Sequence, residues 1–200
     1  MGSMQIHLIR HGKTAANEQG LYCGQADPSL SANGTAAIVS LQAEGLYPAA
    51  VEAYFTSGLR RTEETLALIY GNVGRTAMPG LREYDFGQFE MQSHEALKGL
   101  AAYQAWIHDE TGHVSCPGGE SRHAYARRVR EAFDLLVDEV VCQGHRNVVA
   151  VVHGGVIAHV MARLFPHVRD FYGWQPDHGH GYSLTYEQGQ CMGFVELSAI

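Results

Sequence analysis

Short apolar runs alternate along this chain with longer amphipathic segments. The runs at 5–9, 53–55 and 147–152 predict buried strands, and the valine-rich third run is typical of a strand covered on both faces. Helical periodicity and capping residues predict helices over five ranges. These ranges are 30–44, 59–70, 94–109, 121–142 and 156–164.

Two late stretches, at 183–186 and 193–197, predict a hairpin that turns around residues 188–190. Strands that alternate with helices indicate an α/β fold, a three-layer α/β/α sandwich with a mainly parallel central sheet. No internal repeat or linker interrupts the pattern, so we expect one domain over residues 1–200. A second methionine follows at position 4, and residues 1–3 are therefore set aside as a candidate expression scar.

Composition excludes some classes of partner. The 200 residues carry a formal net charge of -7 with a pI near 5.9, so no general basic field exists to attract nucleic acid or an anionic membrane. The N-terminal apolar run stops at Arg10, too short for a signal peptide. The four cysteines form no CxxC pair, which favours free thiols in the cytoplasm. They are Cys23, Cys116, Cys142 and Cys191.

Polar residues follow each predicted strand of the central sheet. Arg10 and His11 end the first strand, the segment 57–61 follows the second, and His153 with Gly154 follows the third. The carboxyl ends of parallel strands meet at one edge, where α/β sheets bind ligands. Arginine forks and helix N-termini at this edge favour a phosphate group over a carboxylate.

His11 is the best-placed candidate nucleophile of this crevice. A neutral imidazole can attack phosphorus when one ring nitrogen is unprotonated and the other is held as a donor. The crevice arginines and His153 would offset charge on the transferred phosphoryl group, so the reaction requires no metal. A proton donor for the leaving oxygen is still needed. Glu83 is the candidate acid, with Asp85 as a nearby alternative.

Five short motifs occur in a fixed order along the chain. They are RHGxTxxN at 10–17, SxLxRxxxT at 57–65, LxExxFGxxE at 81–90, PGGES at 117–121 and VHGG at 152–155. Each motif is weak alone, but the ordered set is specific. Over nearly its whole length, the sequence resembles the histidine phosphatase superfamily, which contains the cofactor-dependent phosphoglycerate mutases.

This resemblance implies roles for individual residues. His11 becomes the phosphorylated residue, Glu83 the proton donor, and Asn17 an added phosphate contact. The implied phosphate clamp consists of Arg10, Arg61 and His153. The motif places the pocket arginine two residues after leucine, which selects Arg61 over Arg60. Taken alone, Asn17 and Glu120 have an equally good structural interpretation, as residues of a turn and of a first helical turn.

Three stretches resemble a subgroup, the α-ribazole phosphatases of cobalamin nucleotide-loop assembly. They are GLYCG at 20–24, FGQFEM at 86–91 and HGYS at 180–183. Met91 stands where the superfamily usually has glycine. This resemblance implies hydrolysis of α-ribazole 5′-phosphate. The candidate substrate-binding residues are Asn17, Tyr22, Cys23, Gly24 and Gly154, although Tyr22 taken alone is more typical of packing.

Other activities stay open at this stage. Mutases of the superfamily usually have a long insertion after the acid, whereas 33 residues separate Glu83 from Pro117 here, which favours a phosphatase. A phosphoglycerate mutase and a sugar phosphate or bisphosphate phosphatase are the alternatives. His178 and His180 have no evident third ligand, so we expect no metal and no cofactor. The expected partner is a small phosphorylated metabolite, and a homodimer is the candidate assembly.

Overall fold

The computed structural model of the chain describes residues 2–197. The strands are β1 (Met4–Arg10), β2 (Ala53–Thr56), β3 (Thr76–Ala77), β4 (Asn147–Val152), β5 (Gly181–Glu187) and β6 (Gln190–Glu196). The helices are α1 (Ala15–Glu18), α2 (Ala32–Ala43), α3 (Arg60–Tyr70), α4 (His94–Leu97), α5 (Ala101–Ile107), α6 (Arg122–Gln143) and α7 (Gly154–Leu164). Short 3-10 turns cover Pro79–Leu81, Gly87–Phe89 and Tyr172–Trp174.

All six strands form one sheet, in the order β3-β2-β4-β1-β5-β6. The first four strands of this order are parallel, and Gln5 of β1 lies opposite Asn147 of β4. The two strands of the late hairpin are antiparallel to their neighbours. The mainly parallel α/β sheet is therefore confirmed, with an antiparallel pair at one edge.

The sheet buries a different set of residues on each face because side chains alternate along a strand. On one face, Ile6, Leu8 and Ala150 join the larger core, which includes residues of α6 and α7. On the other face, Ile9 and Val149 join a smaller core with residues of α2 and α3. Helices on both faces confirm the predicted three layers.

The prediction of one helix over 94–109 was wrong. Helix α4 ends at Leu97 and α5 begins at Ala101, and Gly99 lies between them. Glycine favours the unfolded backbone and is a poor residue for a helix interior, so the helix breaks there. The sequence also gave no sign of α1 or β3, which are four and two residues long. Neither is long enough to show a period.

The late hairpin turns where the sequence predicts it. Gln188 and Gly189 both have positive φ angles, 51° and 79°, as the two central residues of a type I′ turn require. Each strand starts earlier than expected, at Gly181 and Gln190. No helix within residues 2–197 is long and apolar enough to cross a membrane.

Candidate active site

His11 follows β1 at the edge where the parallel strands end. Its Nδ1 lies 2.7 Å from the carbonyl oxygen of Gly12, which accepts a hydrogen bond from that nitrogen. The proton is thereby fixed on Nδ1, and Nε2 keeps its lone pair. Burial, then the charge of Arg61 and the neighbouring His178, hold the pKa of His11 well below its ordinary value. The ring is therefore a neutral imidazole with one nitrogen available to react.

The backbone around His11 is fixed from two sides. The Gly12 N–H donates to Thr65 Oγ1 at 2.9 Å, and this hydroxyl donates to the Arg61 carbonyl at 2.7 Å. On the other side, His178 Nδ1 donates to the His11 carbonyl at 3.0 Å. Thr65 is the last residue of the second motif. The sequence predicted no role for His178, which was considered only as a metal ligand and rejected. Both hold the backbone of His11 in place.

Arg61 is fully buried in the first turn of α3. Its Nε lies 3.3 Å from His11 Nε2, and its two terminal nitrogens donate to the carbonyls of Gly24 and Ala26 at 2.7 and 2.8 Å. Arg60 is exposed and reaches Ser29 Oγ instead, at 3.2 Å. The structure thus brings Arg61, and not Arg60, to the candidate nucleophile.

A single carboxylate shapes the loop that holds Arg61. Glu90 accepts hydrogen bonds from the backbone N–H groups of four residues, at 2.9 to 3.2 Å. They are Gly24, Gln25, Ala26 and Phe86. Two of these residues present their carbonyls to Arg61, so Glu90 positions the arginine indirectly. Glu90 is the last residue of the third motif, but its role could not be predicted from the sequence.

Arg10 lies over the N-terminus of α7. One terminal nitrogen donates to the Pro176 carbonyl at 2.8 Å, and Nε is buried with no hydrogen-bond partner among the described residues. A Cβ at position 154 would lie 2.9 Å from the Arg10 guanidinium carbon, so a larger residue there would displace the guanidinium. Gly154 therefore lets the guanidinium lie close to the start of helix α7.

His153 joins the same cluster from the end of β4. Its ring centroid lies 5.1 Å from that of His11, and Nε2 lies 2.8 Å from Ser57 Oγ. Its Nδ1 is buried and has no partner within residues 2–197. Burial, then Arg61, hold the pKa of His153 well below the usual value. With Arg10 Nε, this makes two unpaired polar atoms at one edge, a pattern that suits a bound anion.

Glu83 reaches this edge from the loop after β3. Its carboxylate accepts hydrogen bonds from the Tyr84 and Gly155 N–H groups, each at 3.0 Å, and from the Tyr125 hydroxyl. Burial, then the Glu83 charge, raise the pKa of Tyr125, so the phenol stays protonated and donates. A Cβ at position 155 would lie 2.5 Å from a Glu83 oxygen. The second glycine of VHGG thus makes room for Glu83.

Arg128 of α6 holds the backbone that carries Glu83. Its terminal nitrogens donate to the carbonyls of Gly80, Arg82 and Glu83 at 2.9, 2.9 and 3.2 Å. The guanidinium also pairs with Glu120, which accepts a 2.9 Å hydrogen bond from the Asp85 N–H. The helical pattern showed Arg128 only as one more charge on a polar face, so sequence reasoning missed it.

Asn17 lies in the first helical turn after His11. Its Oδ1 accepts hydrogen bonds from the Thr14 N–H at 3.0 Å and the Thr14 hydroxyl at 2.9 Å, which completes a capping box. Because the oxygen is used in this way, the amide nitrogen of Asn17 is the remaining donor. It makes no hydrogen bond within residues 2–197, and its role as a phosphate contact stays a prediction.

The other substrate-binding candidates lie in the loop that Glu90 shapes. The Tyr22 hydroxyl lies 2.5 Å from that of Tyr103, and its ring packs 4.9 Å from Phe86. Cys23 is half-buried, and burial raises the pKa of its thiol. Gly24 is packed so closely that a Cβ would lie 1.6 Å from the Tyr84 carbonyl oxygen. These contacts are structural, and contact with a substrate stays a prediction for all three.

The two buried histidines predict acid sensitivity of the fold. The unfolded chain takes up protons on both below its ordinary pKa of 6.5, whereas folded His11 and His153 stay neutral to much lower pH. The unfolded state therefore binds more protons, and the free energy of unfolding falls by about 1.4 kcal/mol per pH unit for each histidine as the pH drops below 6.5. Urea unfolding at pH 7 and pH 5 measures this. Equal or greater stability at pH 5 would contradict it.

The sequence matches a known protein family over nearly its whole length. A family model described as the histidine phosphatase superfamily (branch 1) matches residues 6–194. This chain belongs to the histidine phosphatase superfamily. An Escherichia coli relative named adenosylcobalamin/alpha-ribazole phosphatase is 34% identical over 165 residues, 80% of this chain and 79% of the relative. A 2,3-bisphosphoglycerate-dependent phosphoglycerate mutase of Beijerinckia indica is 33% identical, over 74% of each chain.

A solved structure extends the likeness to the whole fold. The alpha-ribazole phosphatase of Shigella flexneri superposes on this histidine phosphatase with a TM-score of 0.86 and 29% identity, over 98% of this chain and 97% of that one. The fold and family expected from the five motifs are thus confirmed, and the chain is an enzyme of the phosphatase class. Within residues 2–197, no group of three or more candidate ligands is arranged to hold a metal ion.

One departure of this histidine phosphatase from its superfamily carries backbone strain. Met91, at the usual glycine position, has a φ of 59° and is 44% exposed. A left-handed conformation costs a non-glycine residue about 1–2 kcal/mol, partly offset by the greater freedom of unfolded glycine. We expect Met91→Gly to raise the free energy of unfolding by about 0.5–1 kcal/mol in urea titrations. Met192→Gly, at an exposed position of β6, is the control and should lower it.

Proposed function

We propose that this phosphatase hydrolyses α-ribazole 5′-phosphate, and that the phosphoryl group passes through His11. The observation that carries the chemical route is the His11 tautomer, with Nδ1 held by the Gly12 carbonyl and Nε2 beside Arg61. The choice of substrate rests on the relatives, because the Escherichia coli and Shigella flexneri proteins described above are alpha-ribazole phosphatases. The geometry around His11 thus supports the chemical route of the proposal, and the relatives support the identity of the substrate.

The first half of the reaction transfers the phosphoryl group to the enzyme. The His11 Nε2 lone pair attacks phosphorus, and the bond between phosphorus and the ester oxygen breaks. Glu83 gives a proton to the departing oxygen, so the alcohol leaves neutral. The hydrogen bond from Nδ1 to the Gly12 carbonyl stabilises the positive charge that develops on the imidazole. The products of this step are the free alcohol and a phosphohistidine.

The second half returns the enzyme to its starting state. Glu83, now a carboxylate, takes a proton from a water molecule, and the water oxygen attacks phosphorus. The bond from phosphorus to His11 Nε2 breaks, and inorganic phosphate leaves. Glu83 accepts a hydrogen bond from the Gly155 N–H, two residues after His153, so acid and base work from one place without a large movement. One carboxyl group thus serves both halves in turn.

The remaining residues stabilise charge on the moving phosphoryl group. Its three equatorial oxygens share negative charge in the transition state, and fixed donors lower the cost of that charge. The unpaired Nε of Arg10 is free to donate to these oxygens, and so is Nδ1 of His153 in the tautomer whose Nε2 accepts from the Ser57 hydroxyl. Arg61 donates from beside the nucleophile, and the N-terminus of α7 adds backbone N–H groups. Such a clamp needs no metal ion.

A panel of phosphate monoesters tests the substrate. The panel contains α-ribazole 5′-phosphate, 3-phosphoglycerate and fructose bisphosphate, each assayed for phosphate release in the presence of EDTA. We expect the highest kcat/KM with α-ribazole 5′-phosphate. A higher value for another member would reject this substrate while keeping the phosphatase. Loss of all turnover in EDTA would reject the metal-free route.

The four cysteines are free thiols, as in a cytoplasmic enzyme, which is the location we propose.

A phosphoglycerate mutase is the second candidate, because a mutase relative is 33% identical to this chain. A mutase must return the phosphoryl group to a sugar acid before water attacks the phosphohistidine. Incubation of 3-phosphoglycerate with a bisphosphoglycerate primer separates the two activities. Isomer formation faster than phosphate release would favour the mutase, and phosphate release alone would favour the phosphatase.

A further inference from the structure

A second cavity opens between the N-terminal half of α6 and the C-terminal half of α7. Its volume is about 350 Å³, at the lower end of the range for small-molecule sites. Small or buried apolar residues line its inner part, among them Ala126 and Ala162. None of the five motifs contributes a residue to it. The phosphatase reaction described above therefore does not account for this cavity.

The charged lining of this cavity is entirely basic. Three arginines and two histidines line it, and no aspartate or glutamate does. These basic residues are Arg127, Arg130, Arg163, His123 and His159. Three of the 14 lysines and arginines of a chain with net charge -7 thus meet at one cavity. A cluster of arginines favours anions at this cavity, although the chain as a whole is negative.

The arginines of the cavity differ in their partners. Arg163 pairs with Asp134, which neutralises part of the charge. Arg127 and Arg130 are exposed and form no ion pair or side-chain hydrogen bond within residues 2–197. They lie three residues apart on α6 and so share one face of the helix. Two guanidinium groups are therefore free to bind the same ligand.

We propose that this cavity is a second, non-catalytic site for a small metabolite that carries phosphate groups. Guanidinium groups bind phosphate through paired N–H donors, and two of them on one helical face match a ligand with two phosphate groups. The cavity volume limits the ligand to a small molecule. The apolar inner part contacts the carbon skeleton of the ligand, while the arginines at the rim bind its charged groups.

The cavity is connected to the candidate proton donor by two aromatic rings. His159 lines the cavity, and its ring centroid lies 4.8 Å from that of Tyr125 in an edge-to-face contact. The Tyr125 hydroxyl in turn donates to the Glu83 carboxylate. A ligand that shifts the His159 ring therefore shifts the phenol that orients Glu83. Occupancy of the second site changes kcat by this route.

Titration calorimetry with inorganic pyrophosphate tests the site on the whole protein. We expect two equivalents to bind the wild type, one at the phosphate pocket and one at the cavity. The double variant Arg127→Ala/Arg130→Ala keeps the first and loses the second, since each arginine contributes about tenfold in affinity. Arg146→Ala removes an exposed arginine elsewhere and is the matched control; it should bind as the wild type does.

Kinetics with p-nitrophenyl phosphate provide the second measurement. Pyrophosphate should raise KM in both proteins by competing at the phosphate pocket, but change kcat only in the wild type. An unchanged wild-type kcat would overturn the link to Glu83. One equivalent bound to the wild type and retained by the double variant, two bound to the double variant, or equal weakening in Arg146→Ala would overturn the site. Tighter binding of an oligonucleotide than of pyrophosphate at the same arginines would instead assign the surface to nucleic acid. None of the binding results depends on which substrate the enzyme hydrolyses.

Discussion

The His11→Ala variant is expected to lose phosphatase activity by about 10⁴- to 10⁶-fold, the range seen when a covalent nucleophile is removed. His11 Nε2 is the one candidate nucleophile beside both Arg61 and His153 among the described residues. Without it, no phosphoenzyme can form. Hydrolysis of p-nitrophenyl phosphate in EDTA measures the loss. After a rapid quench, the wild-type phosphoenzyme should be stable in base and labile in acid, because phosphohistidine survives base and not acid.

A matched control separates chemistry from folding. His108 is an exposed histidine whose ring contacts Gln104 of the preceding helix, at 3.1 Å. His108→Ala should keep full activity, and both variants should retain the circular dichroism spectrum of the wild type. Turnover by folded His11→Ala within tenfold of the wild type would reject His11 as the nucleophile.

Glu83→Gln should lower kcat/KM by about 10²- to 10⁴-fold for an alkyl phosphate, and far less for p-nitrophenyl phosphate, because kcat/KM reports transfer to His11 and not the later hydrolysis of the phosphohistidine. An alkyl oxygen is a poor leaving group and needs the Glu83 proton, whereas p-nitrophenolate leaves without one. Glutamine keeps the size of the side chain. Its one oxygen can accept from the Gly155 N–H while its amide nitrogen donates to the Tyr125 hydroxyl, so the local structure should persist. The ratio of kcat/KM for the two substrates is therefore the measurement.

Asp85 is the alternative acid, and its own variant decides between the two. In the structure, Asp85 Oδ1 accepts a hydrogen bond from the Gly87 N–H at 2.9 Å, as the side chain of a tight turn does. Asp85→Asn should leave the kcat/KM ratio of the two substrates unchanged. If the ratio changes in Asp85→Asn and not in Glu83→Gln, the assignment of the acid is reversed.

The sequence predicted the main strands and the convergence of chemistry at their ends for physical reasons. Valine-rich β4 and the run before Arg10 are buried on both faces, so their apolar pattern is continuous and easy to see. Parallel strands bring their following residues to one edge, and His11, Arg61 and His153 do meet there. The four-residue α1 and two-residue β3 were missed because hydrogen bonds and sheet pairing, rather than side-chain periodicity, define them.

The supporting residues could not be found in this way. Arg128 holds three carbonyls of the Glu83 loop, and Glu90 holds four backbone N–H groups, so both act on the main chain rather than through a patterned side-chain contact. His178 binds the carbonyl of a residue 167 positions earlier. Such contacts depend on how distant loops approach each other, and a helical or strand period contains no information about that.

The position of β1 in the sheet has a consequence for synthesis of the protein. This strand lies between β4 and β5 and pairs with both, and Gln5 meets Asn147 across the first of these ladders. At a translation rate of roughly 5 to 20 residues per second, an apolar strand therefore leaves the ribosome about 7 to 30 s before its partner exists. During that interval Ile6, Leu8 and Ile9 lack the strand that they pair with in the folded protein, so an apolar strand from the middle of the sheet stays unpaired while most of the chain is made.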